Sequence, residues 1–208
     1  MPHYGVREDQ LNTLLHGIGA LLSFIGLILL VTASMKQGAV AKTIIFAVYG
    51  VAAVLMYSAS TIYHMSQDFE KRQLFRYLDH VAISLMIAGT YTPMSLLAVK
   101  GVWGWTIFSL VWFLALAGIL YEILFLGRYK WISIAIYIAM GWVVVVAFKP
   151  FVEAVTDDFF WWMMAGGIAY TAGIPFYLIK KVPYFHAIWH AFVLAGTLFH
   201  FIGFYFYL

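Results

Sequence analysis

The stretch YFHAIWHAFVLAGTLFHFIGFYFY, residues 184–207, is an apolar run carrying three histidines, of which His186 and His190 lie four positions apart. A hydrocarbon core takes roughly 20 residues of helix to cross, so a run of this length reads as a membrane span. Residues four apart share one helical face, which aims both imidazoles the same way. Ionisable groups inside a membrane are costly and turn toward the interior of the bundle, where they mark a functional site. This one run therefore predicts a polytopic helical protein with a polar centre.

The rest of the chain agrees. Of its 208 residues 64% are hydrophobic and 10% charged, and cysteine is absent. Mean hydropathy is +0.92. Such a composition excludes an ordinary soluble domain. Six further apolar runs fall at about 10–34, 41–65, 74–98, 103–126, 130–148 and 158–180. Their continuous apolarity excludes the alternating pattern of a membrane barrel. The expected fold is all-α, a single seven-helix transmembrane domain over residues 1–208. The first run is too long for a cleaved signal and is expected to remain as a helix. Without cysteine there are no disulfides, and any zinc site must use nitrogen and oxygen ligands.

The net charge of +3 is informative through its distribution. With seven spans, one side holds Arg7, Lys71, Arg72, Arg76, Arg128, Lys130, Lys180 and Lys181, eight of the twelve basic residues. The excess of Lys and Arg in cytoplasmic loops then places the N-terminus in the cytoplasm and the C-terminus outside. The acidic 5–6 loop, with Glu153, Asp157 and Asp158, falls outside. Nothing combines basic and aromatic residues in a way that suggests nucleic acid. Aromatic clusters such as Trp103 with Trp105, and Phe204 to Tyr207, read as interfacial anchors. Recurrent glycines in the spans read as packing positions, and Pro93 and Pro175 as kinks.

A common depth singles out four polar residues. The second run ends inside near His64, the third starts inside with Asp79 a turn or so from its entrance, and the last starts inside with His186 and His190. His64 can add a third nitrogen to the H-x-x-x-H pair. Three protein ligands plus water is the pattern of a catalytic zinc site, because the open position holds a water that the metal acidifies. Asp79 is placed to act as general base. Ser60, one turn before His64, can orient a ligand or donate to an oxyanion, or satisfy its own i−4 carbonyl. His16 reads as a neighbour of the site. His80 points about 100° away from Asp79, and His200 lies about 21 Å along the helix from His186, beyond coordination reach. Glu122 reads as snorkelling or paired with Arg128.

Taken together, Ser60-x-x-x-His64, Asp79, Gly89-Thr90-Tyr91-Thr92-Pro93 and His186-x-x-x-His190 resemble the hemolysin III family of bacterial membrane proteins. That family lies within the superfamily of progestin and adiponectin receptors. The resemblance runs from His16-Gly17 to the His186–His200 stretch. It implies seven helices with a cytoplasmic N-terminus in a bacterial plasma membrane. By resemblance to the adiponectin receptors, a Zn2+ ion is held by His64, His186 and His190, Asp79 contacts its water, and Ser60 belongs to the same site. Those receptors, and the similar alkaline ceramidases, hydrolyse the amide of ceramide. The function expected here is therefore zinc-dependent hydrolysis of a lipid amide or ester, with membrane lipids or free fatty acid as partners. Three alternatives stand beside it: a non-enzymatic sensor of membrane lipid state or energetics, a hemolysin-type pore, and a haem protein. Few charges and no evident polar stripe in the spans speak against a pore. A shared face for His186 and His190 speaks against bis-histidine haem, which needs ligands from opposing faces.

Overall fold

The computed structural model describes residues 5–125 and 128–208. Leu126, which ends the fourth expected span, and the Lys130 side chain lie outside them. The described residues form helices and turns with no strand. Helix α1 spans Val6–Lys36, α2 Val40–Met65 and α3 Phe69–Pro93, and α3 runs on through a π-helical turn at Met94–Val99. Helix α4 covers Gly101–Phe125, α5 Lys130–Gly141, α6 Phe148–Ala154, α7 Asp157–Leu178 and α8 Phe185–Tyr207. Neighbours in sequence pack as neighbours in space along α1, α2, α3 and α4, while α8 closes against both α7 and α1.

Among the described residues, six segments are long and apolar enough to cross a membrane. This corrects the expected count of seven. The sixth expected run does form a helix, α7, but it opens on Asp157 and Asp158 and is diluted by Trp161, Trp162, Tyr170 and Pro175. Close approach to α8 explains Gly166 and Gly173. A methyl group on Gly166 would collide with the His200 ring, and one on Gly173 or Gly196 would press on Trp189 or Tyr170. Small residues at such crossings let helix backbones approach.

The fifth expected run, 130–148, is not one continuous α-helix. Helix α5 stops at Gly141, a 3-10 stretch covers Val143–Ala147, and α6 follows. Gly141 and four successive β-branched valines weaken the α-helix locally. The freed backbone groups find a partner in Tyr91. Its hydroxyl donates to the Gly141 carbonyl at 2.7 Å and accepts from the Val144 N–H at 3.1 Å. The Gly89–Pro93 motif thus secures the break in the neighbouring segment. Thr92 adds a second tie, its hydroxyl accepting from the Trp112 indole at 3.1 Å.

Two boundaries differ from expectation in ways that matter for the site. Helix α3 begins at Phe69 rather than 74, because Asp68 caps it by accepting from the Lys71 N–H at 2.9 Å. Asp79 consequently lies about 15 Å into the helix, not one turn from its entrance. Helix α1 begins at Val6, one turn before the expected 10, and this extra turn carries Asp9.

Tyr91→Phe leaves the Val144 N–H unpaired. The expected cost is roughly 1–3 kcal/mol, read as a lower Tm in detergent; an unchanged Tm would show that the break does not depend on Tyr91.

Candidate metal centre

Helix α2 carries His64 one residue before its end, and α8 starts at Phe185 after a left-handed Tyr184 with φ 64°. That sharp entry puts His186 in the first turn of α8 and His190 one turn deeper. All three imidazoles are buried. One ring nitrogen from each of His64, His186 and His190 lies within 4.8 Å of the others. His64 Nε2 and His190 Nε2 stand 3.1 Å apart. The three sequence-predicted ligands are therefore brought together, and the group can hold a metal ion.

The other nitrogen of His64 explains why this geometry persists. Its Nδ1 lies 2.8 Å from Asp9 Oδ1. Asp9 in turn receives two hydrogen bonds from the Arg72 guanidinium, at 3.0 and 2.8 Å. Arg72 also donates to the Ser66 carbonyl at 3.0 Å and lies over the Tyr63 ring. A carboxylate that accepts from Nδ1–H fixes the histidine tautomer and leaves the Nε2 lone pair facing inward, toward any cation. Asp9 and Arg72 were not among the residues singled out from sequence. The available signal was Asp9, Asn12 and His16, polar residues at i, i+3 and i+7 that share one face of the helix. Asn12 is fully buried, with its side-chain amide 3.5 Å from His64 Nδ1.

Asp79 stands beside the histidine group rather than in it. It is half-buried on α3, within electrostatic reach of His64, His80 and Arg76. Ser60 is fully buried one turn before His64, close to Asp79, and its hydroxyl has no hydrogen-bond partner among the described residues. A base and a hydroxyl thus adjoin three convergent nitrogens.

His16 packs its ring 3.6 Å from that of His190, centroid to centroid. It belongs to the wall of the site, and neither of its ring nitrogens has a protein partner among the described residues. Further along α8, Thr197 and His200 continue the buried polar face that starts at His186. This stripe was not evident in the sequence. It is closed by hydrogen bonds: the Tyr57 and Tyr170 hydroxyls each lie 2.7 Å from Thr197 Oγ1, and His200 Nε2 lies 3.1 Å from the Met163 carbonyl. His80 faces away from the centre, as its angle predicts, and pairs with Glu122 at 3.4 Å. Glu122 is only 1% exposed, so it neither snorkels nor reaches Arg128, whose guanidinium lies over Tyr129.

With this geometry in view, the similarities to known proteins become specific. The family model described as "Haemolysin-III related" matches residues 4–201. The chain belongs to that family. Hemolysin-3 of Bacillus cereus is 44% identical over 192 residues, covering 92% of this chain and 88% of the relative. The Hemolysin-3 homolog of Bacillus subtilis (strain 168) is 38% identical over 194 residues, covering 93% and 91%. A human relative, Monocyte to macrophage differentiation factor, is 26% identical over 171 residues, covering 77% and 69%. Haemolysin-III-related relatives and six apolar segments together indicate a multi-pass membrane protein.

Removing the carboxylate that orients a ligating histidine typically weakens metal binding by about 10–100-fold. Asp9→Asn is expected to raise the metal dissociation constant by that factor, measured by competition with a chromophoric chelator. An unchanged constant would mean that Asp9 does not hold His64 for a metal.

Proposed function

We propose that the chain is a zinc-dependent hydrolase of a bacterial plasma membrane, cleaving an amide or ester bond of an acyl lipid. The observation that carries this reading is the convergence of three buried histidine nitrogens with Asp79 and Ser60 beside them. An all-imidazole set with no thiolate suits zinc. Zinc, when bound, supplies a Lewis acid that polarises an acyl carbonyl and acidifies water.

The residues of the chain do the rest. His64, His186 and His190 hold the ion, and Asp9 keeps His64 in its ligating tautomer. Asp79 takes a proton from the attacking water and returns it to the leaving amine or alcohol as the acyl bond breaks. Ser60 donates to the developing oxyanion. Burial between α2, α3 and α8 keeps bulk water away and strengthens each of these electrostatic contacts. A site inside the bundle suits a lipid entering sideways between helices, with free fatty acid as a product.

Topology supports a cytoplasmic-side site. The centre is built from the start of α1, the end of α2 and the start of α8, the end of the bundle that also carries Arg7, Lys71 and Arg72. The basic residues gathered at that end favour the cytoplasmic side. A second reading comes from the name of the 44% identical relative, Hemolysin-3. In it the chain permeabilises membranes and the metal is structural. A non-enzymatic sensor of membrane lipid state is the form the second reading takes if no permeabilisation occurs.

The test is to incubate the purified, zinc-loaded protein with a mixture of ceramides and bacterial phospholipids and to quantify released fatty acid. General-base catalysis contributes about 10²–10⁴-fold, so Asp79→Asn is expected to lose at least about 100-fold of the release while keeping its zinc. Zinc binding without release from any lipid would overturn hydrolysis. Dye leakage from liposomes that persists in His190→Ala would support the permeabilising reading instead.

A further inference from the structure

A second polar cluster, apart from the three histidines, joins α3, α4 and α5. Each helix contributes an i, i+4 pair to it: His80 and Ser84, Gly118 and Glu122, Ser133 and Tyr137. Glu122 is buried, and its Oε2 faces His80 Nδ1 at the ion-pair distance of 3.4 Å, neither atom having a hydrogen-bond partner among the described residues. The Tyr137 hydroxyl lies 3.0 Å from Glu122 Oε1 and 3.1 Å from the His80 backbone carbonyl. Ser133 approaches the same carboxyl, and fully buried Ser84 Oγ has no partner among the described residues. Gly118 makes room, since a methyl group there would sit 3.1 Å from Ser84 Oγ.

Counting protons shows what this arrangement can do. Tyr137 has one hydroxyl proton and two acceptors within reach. If Glu122 is a carboxylate and His80 an imidazolium, Tyr137 donates to Glu122 Oε1. If the proton sits on Glu122 Oε2, it faces the His80 Nδ1 lone pair, and Tyr137, beside an oxygen that no longer carries charge, donates to the His80 carbonyl. Both arrangements use the same heavy-atom positions and both are neutral overall, which matters because an unpaired charge buried here would be expensive.

We propose that Glu122, His80 and Tyr137 form a proton-binding site within the bundle, holding one proton shared between the carboxyl and the imidazole while the tyrosine hydroxyl turns to follow it. In the transfer, the O–H bond on Glu122 breaks as an N–H bond forms on His80 Nδ1, and nothing else enters or leaves. The ionisable groups around the pair include Asp79 on α3, Tyr121 on α4, Tyr137 on α5, Tyr177 on α7 and His186 on α8. Among the charged and titratable neighbours of Asp79, His80 acts on it most strongly. The position of this proton therefore contributes to the field at Asp79, beside His64 and Arg76, a consequence for catalysis that rests on the hydrolase reading, whereas the site itself does not.

The test uses the full chain in lipid vesicles with dicyclohexylcarbodiimide, which reacts with protonated carboxyls in apolar surroundings. The carboxyl O–H adds across one C=N bond and the product rearranges to a stable N-acylurea, adding one carbodiimide mass with no leaving group. Mass spectrometry of the peptide carrying Glu122 reads the yield. Near neutral pH, His80→Gln removes the competing base and leaves the proton nowhere but on Glu122. Loss of such a charge partner moves a carboxyl by about 1–3 pH units, so labelling is expected to rise at least about tenfold over the native protein. Infrared spectra of the same samples provide a readout independent of reagent access. The protonated-carboxyl C=O stretch should grow in His80→Gln and vanish in the double variant His80→Gln/Glu122→Gln. Equal labelling and an equal carbonyl band in native and His80→Gln protein would overturn the proposal, whatever the outcome with lipid substrates.

Discussion

The hydrogen bond from His64 to Asp9 is the contact on which the polar end of the bundle depends. Imidazoles, a carboxylate and hydroxyls inside apolar helices are costly to bury, and each partner they find lowers that cost. Asp9 brings a charge to that end, and Arg72 neutralises it from α3 at 2.8 Å. The ion pair sits at the rim, with both side chains 15% exposed, so its desolvation stays modest. What reaches inward is only the neutral edge of His64. One imidazole thereby links α1, α2 and α3 at the end where α8 begins, and presents its second nitrogen to His190.

Further from that end, the bundle handles the same problem with hydroxyls. Tyr91 caps the interruption between α5 and α6, and Tyr57 and Tyr170 converge on Thr197. Tyrosine suits these positions because its ring supplies apolar packing while its hydroxyl reaches a single polar target. The chain holds 14 tyrosines, and these three spend their hydroxyls on polar groups that the helices leave exposed to one another. These hydroxyls let the interior be polar in places while each target keeps a partner.

The all-α membrane class and the His186–His190 pair were legible from spacing, and His64 from the depth at which its helix was expected to end. Apolar run length predicts a span, and the i, i+4 interval between His186 and His190 fixes their common face. Asp9 was not legible because the first span was expected to begin at residue 10, which left residues 7–9 as a charged flank rather than a helical turn. Asp79 was recognised but placed too near the helix entrance, since the charged start of α3, from Phe69 to Arg76, does not read as membrane helix. Glu122 was misread for a related reason. Near a helix end a carboxylate is expected to reach solvent, yet its partners His80 and Tyr137 come from α3 and α5, contacts that no local pattern in α4 encodes. α7 shows the opposite limit, a helix whose glycines and aromatic residues serve α8 and so lower its own hydropathy.

The most direct measurement is X-ray absorption at the zinc edge of protein purified in detergent and loaded with one equivalent of metal. The account predicts three imidazole nitrogens at about 2.0–2.1 Å with one further light-atom ligand, and only two imidazoles when His64 is replaced by alanine. A native spectrum with fewer than three imidazole scatterers, or one unchanged by that replacement, would contradict it.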